Sequence, residues 1–316
     1  MEKYNPEIEA LLKTAYDDWG KPEENRENLI PYGIRAIDAA LYGIDIVNGE
    51  LIVFLGSEKT RKTTTVANII VNIMTASIPV NKPLVIIESL ESGMPPKRYR
   101  DVLLSIMASK ILMSNGHKHH AVCPTCKANE CRALNISPEF LKYKEKTQEQ
   151  VNAIDLAIKT MSRWPILIFG PKPIEGDTRN FDASLRRLEQ LTINRKSIVV
   201  SDHIQQYAVT GDDYNKQMAV ISGFSNYVAR TSNVAIVISQ ASLSSVKEAR
   251  QGIGEINAAG GKKAHAEANV VFSCDYVSGS GKMSIDLIDS RRSETFSVTQ
   301  TLEDTSGCFY GEGHRR

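Results

Sequence analysis

Near the start of the chain lies a residue pattern that is typical of phosphate-binding loops. After the apolar run LIVFL and before a helical segment come Gly56, Ser57, Glu58, Lys59, Thr60, Arg61, Lys62, Thr63 and Thr64. Backbone N–H groups in such a loop converge on a phosphate, and the positive end of the helix dipole strengthens the attraction. The pattern predicts that Lys62 contacts the β- and γ-phosphates of ATP and that the Thr63 hydroxyl binds Mg²⁺.

Position 61 departs from the usual pattern, which has glycine before the catalytic lysine. If the backbone needs a positive φ there, Arg61 costs about 1 kcal/mol or more. Two alternatives stay open: a chance resemblance of the loop, or a nucleotide site that has kept the fold and lost hydrolysis. The register of strand, loop and helix favours a functional site.

Three polar residues at strand ends are candidates to complete this site. Glu91 follows the apolar strand PLVIIES, where a carboxylate can orient and deprotonate a water molecule. Asp202 ends SIVVSD, an arrangement that delivers a carboxylate to Mg²⁺, and Gln240 ends VAIVISQ, where an amide can contact the γ-phosphate. The alternatives are a helix-start acid at Glu91, with Glu88 as the rival base, and ordinary strand-end polar groups at the other two positions.

Apolar runs alternate with helical patterns along most of the chain, which is typical of a parallel sheet with helices on both faces. We therefore predict an α/β fold with a mainly parallel sheet that antiparallel strands extend late in the chain. The predicted strands are LIVFL, PLVIIES, PILIFG, SIVVSD and VAIVISQ, then ANVVFSCDY, GKMSIDLID and TFSVTQTL. Helices are predicted over residues 6–19, 37–41, 62–76, 96–113, 138–163, 181–194 and 218–232.

Composition and charge limit the class of protein. The chain has 316 residues, of which 42% are hydrophobic and 24% charged, and its formal net charge is +1. These values are ordinary for a globular protein, so positive charge for binding nucleic acid must be local or assembled from several subunits around a channel. No run approaches the roughly 20 apolar residues of a membrane span. The acidic start lacks the pattern of a signal peptide, and we expect a cytoplasmic protein of a bacterial or phage-infected cell, with no membrane partner.

A cluster of cysteines and histidines interrupts the pattern over residues 114–135. Cys123 and Cys126 have the two-residue gap of a zinc-knuckle turn, and Cys131 follows as a third thiolate. His120 is our first choice for the fourth ligand, with the two other histidines of the cluster as alternatives. We predict a zinc-binding insertion whose folding depends on the metal. A reduced, metal-free loop is the alternative.

In their order and spacing, these motifs resemble those of the ATPase domain of DnaB-type replicative helicases, within the RecA superfamily. IPYGIRAIDAALYGI is similar to the segment before the family's phosphate loop, IIESLESG to F-S-L-E-M, IVVSDHIQQY to I-V-V-D-Y-L-Q-L, and VAIVISQAS to V-P-V-I-x-L-S-Q-L-S-R. ANVVFSCDY and MSIDLIDSRRSETFSVTQTL are similar to the two later motifs. The resemblance spans about residues 30–311. It implies that Glu91 is the catalytic base and that Asp202 has the Mg²⁺ role, with His203 where the family has tyrosine.

The last of these motifs implies that nucleotide sites are shared between subunits. It places Arg291 on the family's arginine finger, which acts on the nucleotide of a neighbouring subunit. The family's nearby lysine falls on Asp289, so a second cation is missing unless Arg292 replaces it. The resemblance thus implies a homo-oligomer, such as a hexameric ring.

Domain organisation and DNA contacts follow from the same resemblance. Residues 31–316 are predicted to form the RecA-like ATPase domain, after an N-terminal arm and linker over residues 1–30 that is too short for the family's collar domain. The loop after Gln240 would line a DNA channel, and its cations are Lys247, Arg250, Lys262 and Lys263. The segment 205–216, which contains Tyr207, is a second channel candidate. A solvated surface loop is the alternative.

Three functions of different classes are compatible with the motifs. The first is an oligomeric DNA-dependent ATPase, a DnaB-like helicase or translocase on single-stranded DNA that works with other replication proteins. The second is a RecA-like or UvsX-like recombinase that forms filaments on DNA, and the third is a regulatory ATPase that does not bind nucleic acid. The order of the motifs favours the first. The residue before Lys62 is also similar to that of phage RecA-like proteins, which indicates a phage or mobile-element origin.

Overall fold

The structure is a computed structural model that describes most of the chain in segments. The described residues are 29–76, 82–91, 93–117, 125, 131–134, 136–170, 180–209, 213–240, 266–277, 282–302 and 307–315. The predicted N-terminal helix over residues 6–19 lies outside them. Among the described helices, none is both long and apolar enough to cross a membrane.

Helices and strands alternate along the described chain. The helices are α1 (Arg35–Leu41), α2 (Lys62–Thr75), α3 (Pro96–Ser114), α4 (Pro138–Tyr143), α5 (Gln148–Ser162), α6 (Phe181–Thr192) and α7 (Asp213–Thr231). The strands are β1 (Leu29–Ile30), β2 (Ile44–Asp45), β3 (Leu51–Gly56), β4 (Leu84–Ser89), β5 (Ile166–Phe169), β6 (Ser197–Asp202), β7 (Val234–Gln240), β8 (Val270–Val277), β9 (Lys282–Ser290), β10 (Phe296–Leu302) and β11 (Phe309–Arg315). Short β1 and β2 form a separate antiparallel pair.

Within the described residues, nine strands form one sheet in the order β11-β10-β9-β8-β3-β7-β6-β4-β5. The six strands from β8 to β5 run parallel to one another, and β9, β10 and β11 continue the sheet in antiparallel fashion. The predicted mainly parallel α/β sheet with late antiparallel strands is therefore confirmed.

Alternate side chains of β3 pack into two different hydrophobic layers. Ile52 and Phe54 are fully buried on the face that α2, α3 and α5 cover. Val53 and Leu55 are fully buried on the other face, against α6 and α7. Because both faces are covered, the strand is a continuous apolar run, which is why its position is readable in the sequence.

Three predicted elements differ from the structure. The helix predicted over residues 138–163 is two helices, because Thr147 begins α5 with a capping box that includes Gln150. The segment ANVVFSCDY was expected to be antiparallel, but β8 pairs in parallel with β3 and is antiparallel only to β9. Strand β11 was not predicted, and it extends the antiparallel edge of the sheet.

Candidate functional site

The carboxyl ends of the parallel strands bring the predicted site residues to one edge of the sheet. Gly56, where β3 ends, lies opposite Gln240 at the end of β7. Asp202 at the end of β6 lies opposite Ser89 at the end of β4. The backbone N–H of Leu90 donates a hydrogen bond to the Asp202 carbonyl at 2.7 Å, which fixes the chain just before Glu91. The sheet register therefore gathers residues that are far apart in the sequence.

The loop after β3 has the tight geometry of a phosphate-binding loop. A Cβ atom at Gly56 would lie 2.6 Å from the Thr60 hydroxyl and 2.7 Å from the Cys274 carbonyl, so only glycine fits. Lys59 and Arg61 both have φ of 61°. Arg61 gives no side-chain cap to α2, so the first N–H groups of the helix stay available to an anion.

Arg61 thus adopts the positive φ that the sequence pattern raised as a possibility. Its guanidinium lies over the ring of Tyr276, 5.1 Å from the ring centroid. A cation–π contact of this kind contributes about 0.5–1 kcal/mol at a partly exposed site. That is similar in size to the backbone strain, which explains how arginine is tolerated where glycine is usual.

The Lys62 ammonium points into the loop. It donates hydrogen bonds to the carbonyls of Gly56 at 2.7 Å and Ser57 at 2.6 Å, and the residue is 8% exposed. Burial lowers the pKa of Lys62, and the nearby carboxylates of Asp202 and Glu91 oppose this shift. Lys62 is therefore held at the centre of the loop, where a phosphate oxygen can replace a carbonyl as its partner.

Asp202 is a buried carboxylate without a hydrogen-bond partner among the described residues. It is 1% exposed, and neither of its oxygens meets ordinary hydrogen-bond geometry. Burial raises the pKa of Asp202 to about 7, and the Thr63 hydroxyl and the Lys62 ammonium offset the rise only in part. An unpaired buried carboxylate is costly, and a cation satisfies it. The donor set of Asp202 and Thr63, both hard oxygen ligands, therefore fits Mg²⁺.

Glu91 and His203 complete the acidic corner of the site. Ligand atoms of Glu91, Asp202 and His203 lie within 4.8 Å of one another. The Nδ1 atom of His203 is 3.8 Å from Oε2 of Glu91, whose side chain is 43% exposed. Burial lowers the pKa of His203, which favours the neutral imidazole. Glu91 is thus accessible to water and lies beside the buried carboxylate.

The rival base, Glu88, lies elsewhere. It is 2% exposed, and its carboxylate accepts hydrogen bonds from the hydroxyls of Ser184 and Tyr207, the latter at 2.6 Å. Burial raises the pKa of Glu88, and these two hydrogen bonds oppose the rise. Glu88 therefore serves as an internal connection between β4, α6 and the segment after β6.

Tyr207 was predicted as a candidate for a DNA channel, and the structure contradicts that role. The residue is 4% exposed, and its ring packs 4.9 Å from the ring of Phe181, measured between centroids. Its hydroxyl also lies 3.0 Å from the Ser201 hydroxyl. A ring held in this way cannot stack on a base.

Gln240 has a partner that the sequence analysis did not identify. Nε2 of Gln205 donates hydrogen bonds to the Gln240 carbonyl at 3.2 Å and to the Ser239 hydroxyl at 2.9 Å. This braces the end of β7 against the turn that follows Asp202. The signal was available, since Gln205 coincides with the glutamine of I-V-V-D-Y-L-Q-L.

Arg291 lies at the opposite edge of the sheet from the phosphate-binding loop. It follows β9, which ends beside the first residue of β8, and its backbone N–H donates to the Asn269 carbonyl at 3.2 Å. Asn269 in turn accepts a hydrogen bond from the N–H of Leu51, the first residue of β3. The five residues from Leu51 to Gly56 span roughly 16 Å along the strand, so the exposed Arg291 side chain lies well away from the Lys62 site of its own chain.

Arg292 does not replace the family's second cation in this structure. Its guanidinium turns inward and donates to Oε2 of Glu50 at 2.7 Å and to the carbonyl of Gly43 at 2.8 Å. The alternative raised for Arg292 in the sequence is therefore wrong for the described state of the chain.

Parts of the zinc cluster and the DNA loop lie outside the described residues. These are His120, Cys123, Cys126, Lys247, Arg250, Lys262 and Lys263. The described members are Cys131 and His117, which are 1% and 2% exposed. Nδ1 of His117 lies 3.0 Å from the Cys131 sulfur, and its Nε2 lies 2.6 Å from Oε1 of Glu149.

Comparisons with known proteins identify the fold. No protein-family model and no curated protein matches the sequence. The solved structure of a DnaB-like helicase ATPase domain matches with a TM-score of 0.71 and 15% sequence identity, over 96% of this chain and 98% of that chain. A second DnaB-like replicative helicase, described with its interactions with primase, matches with a TM-score of 0.67 and 15% identity, over 94% of this chain and 66% of that chain. This chain therefore has the RecA-like fold of DnaB-like helicase ATPase domains.

Proposed function

We propose that this chain is an oligomeric ATPase that acts as a DnaB-like helicase or translocase on single-stranded DNA in the cytoplasm. The observation that carries the proposal is the grouping of Lys62, Asp202 and Glu91 at one edge of the sheet. A cation in a loop of N–H groups, an unpaired buried carboxylate and a water-accessible carboxylate are the parts that nucleoside triphosphate hydrolysis requires.

The loop from Gly56 to Thr64 binds the triphosphate of ATP. The Lys62 ammonium exchanges the carbonyls of Gly56 and Ser57 for β- and γ-phosphate oxygens. Thr63 and Asp202 would hold Mg²⁺, which supplies positive charge to the phosphates when bound. The N–H groups at the start of α2 add to this field without moving, because the helix fixes them.

Glu91 orients the attacking water and accepts its proton. Its exposure leaves room for a water molecule, and the neutral His203 beside it restricts the directions that the carboxylate can take. Gln240, braced by Gln205, presents its amide beside Gly56, where it senses the γ-phosphate. Loss of the γ-phosphate would then be transmitted through Gln240 to the chain that follows β7.

Arg291 acts on the nucleotide of the neighbouring subunit. Its place at the far edge of the sheet, exposed and roughly 16 Å of strand away from its own Gly56, supports a role in trans. An arginine in this role neutralises charge on the transferred phosphoryl group. A ring, such as a hexamer, brings each Arg291 to the next site around the circle.

DNA binding is assigned to the loop after Gln240. Its cations, Lys247, Arg250, Lys262 and Lys263, would contact the phosphates of single-stranded DNA without reading the sequence. Several subunits are needed to build a positive channel, because the whole chain carries a formal charge of only +1. A primase-like replication protein is a candidate partner by analogy with the DnaB-like helicase described above.

Electron microscopy with a nonhydrolysable ATP analogue and single-stranded DNA tests this proposal. Closed rings threaded by DNA are the expected result. Long filaments on DNA would instead indicate a recombinase, and particles that do not respond to DNA would indicate a regulatory ATPase. Either of those outcomes would rule out the helicase function.

We also propose that the cluster around Cys131 binds one zinc ion per chain, with Cys123 and Cys126 as further ligands. Cys131 and His117 offer a thiolate and an imidazole 3.0 Å apart in a buried site, a donor set that suits zinc. A carboxylate on the second ring nitrogen, as Glu149 provides, is the usual arrangement for a metal-binding histidine. This contact favours His117 over His120 as the fourth ligand.

Metal analysis of protein purified without chelator tests the zinc site. About one zinc per chain is expected. His117→Ala should lower the zinc content, whereas His120→Ala should retain it. Protein that contains no zinc would contradict the proposal, and the reverse pattern in the two variants would restore His120 as the ligand.

A further inference from the structure

Two adjacent arginines after β9 have opposite environments. Arg291 is exposed, whereas the Arg292 side chain is only 28% exposed and folds back onto the body of the protein. Three hydrogen bonds hold the Arg292 guanidinium: to Oε2 of Glu50 at 2.7 Å, to the carbonyl of Gly43 at 2.8 Å and to the carbonyl of Leu41 at 3.2 Å. Its backbone N–H also donates to the Ser290 hydroxyl at 3.0 Å.

The partner of Arg292 is a fixed point. Glu50 is 2% exposed, and its other carboxylate oxygen accepts a hydrogen bond from the N–H of Asp45 at 3.2 Å. Glu50 comes directly before β3, the strand that ends at the phosphate-binding loop. A planar guanidinium that reaches a carboxylate and two carbonyls at once has little freedom to turn.

We propose that Arg292 is a positioning residue that aims the Arg291 guanidinium across the subunit interface, through its hydrogen bonds to Glu50, Gly43 and Leu41. The inference rests on the trans role proposed above for Arg291. Consecutive Cα atoms are about 3.8 Å apart, so a fixed Arg292 leaves the backbone of Arg291 little room to move. Because Glu50 directly precedes β3, the same strand then carries the phosphate loop of one site and anchors the finger of the next.

Arg292→Lys is the informative variant. Lysine keeps the positive charge, but one ammonium cannot hold the carboxylate and both carbonyls in the geometry of the guanidinium. A displacement of about 1 Å in a catalytic group can lower a rate by up to about 10²-fold, and we expect kcat to fall about tenfold with KM and nucleotide affinity unchanged. Arg230→Lys, which changes an exposed ion pair with Glu189, is the matched control and should keep the wild-type kcat.

A mixing experiment distinguishes positioning of the finger from damage within the chain. Arg292→Lys protein has intact phosphate loops, and Lys62→Ala protein has intact fingers with a normal Arg292. After subunit exchange, the ATPase activity of the mixture should exceed the sum of the separate activities. A mixture no more active than its components would mean that Arg292 supports its own chain's site, and would overturn the inference.

The remaining outcomes separate this inference from the function on which it rests. Wild-type kcat in Arg292→Lys, together with an inactive Arg291→Ala, would overturn the positioning role and leave the shared site standing. Full turnover in Arg291→Ala would overturn both. If Arg292→Lys does not fold, Glu50→Gln takes its place, since it keeps the shape of the side chain and weakens the contact. It should show a smaller loss of kcat that the Lys62→Ala protein also restores.

Discussion

At the scale of single residues, two glutamates at the end of the same strand have different environments and different predicted roles. Glu91 is accessible beside Asp202, and Glu88 is buried between two hydroxyl donors. Glu91→Gln should bind ATP normally and lose turnover by about 10²–10⁴-fold, since only water activation is removed. The measurements are equilibrium nucleotide binding and steady-state ATPase rate.

Glu88→Gln is the matched control for that prediction. It should keep kcat within a few-fold of wild type and lower the thermal midpoint, because the new amide N–H₂ group faces a hydroxyl that donates to Glu88. A fully active Glu91→Gln together with an inactive Glu88→Gln would exchange the two roles.

The backbone at Arg61 gives a second prediction at the residue scale. Since φ is 61°, glycine relieves strain there, while alanine keeps the strain and loses the contact with the Tyr276 ring. Arg61→Gly should therefore lie within about 0.5 kcal/mol of wild type in the free energy of unfolding, and be about 0.5–1 kcal/mol more stable than Arg61→Ala. Chemical denaturation checks this. An alanine variant as stable as the glycine variant would show that the positive φ is not a constraint in solution.

At the scale of elements, the start of β3 carries a buried charge whose titration should affect stability. Burial raises the pKa of Glu50 to about 7, and the Arg292 guanidinium opposes the shift. The unfolded chain releases this proton at an ordinary, lower pKa, whereas the folded chain keeps it until near pH 7. Stability from this group is therefore present at low pH and is lost as pH rises toward 7.

The difference between wild type and Glu50→Gln isolates this effect, because other titrating groups are common to both. Between pH 5 and pH 8, we expect the free energy of unfolding of wild type to fall relative to that of Glu50→Gln. A difference that does not change with pH would mean that Glu50 stays ionised in the folded protein across this range.

The elements that sequence alone predicted share one property. β3, β4, β6 and β7 are buried on both faces, so they are continuous apolar runs with recognisable ends. The parallel pairing of β8 was missed, because its partner β3 lies more than 200 residues earlier and the strand that follows suggests a simple hairpin.

The site was predictable for a related reason, and its limits are also physical. The ends of β3, β6 and β7 follow from the apolar pattern, so Lys62, Asp202 and Gln240 could be located from sequence. The Glu50–Arg292 contact joins residues 242 positions apart, and the burial of Tyr207 depends on Glu88, 119 positions away. No local pattern reports such contacts, which depend on the tertiary packing.

At the scale of the whole molecule, the two halves of the proposed catalytic site lie on opposite edges of one sheet. The loop around Lys62 is at the carboxyl end of β3, and Arg291 is near its amino end. A single chain therefore offers half of two sites, and hydrolysis should require a neighbour. The match over 96% of this chain to the solved helicase ATPase domain covers both edges.

The most direct test of this account is the ATPase rate of a mixture of Lys62→Ala and Arg291→Ala proteins in the presence of single-stranded DNA. Each variant alone should fold and be inactive, with Arg291→Ala losing about 10³-fold or more in turnover. Where subunits exchange, some interfaces join an intact Lys62 loop to an intact Arg291, and part of the DNA-stimulated activity should return. A mixture as inactive as its components under conditions of proven exchange, or full activity in a monomer, would contradict the shared site.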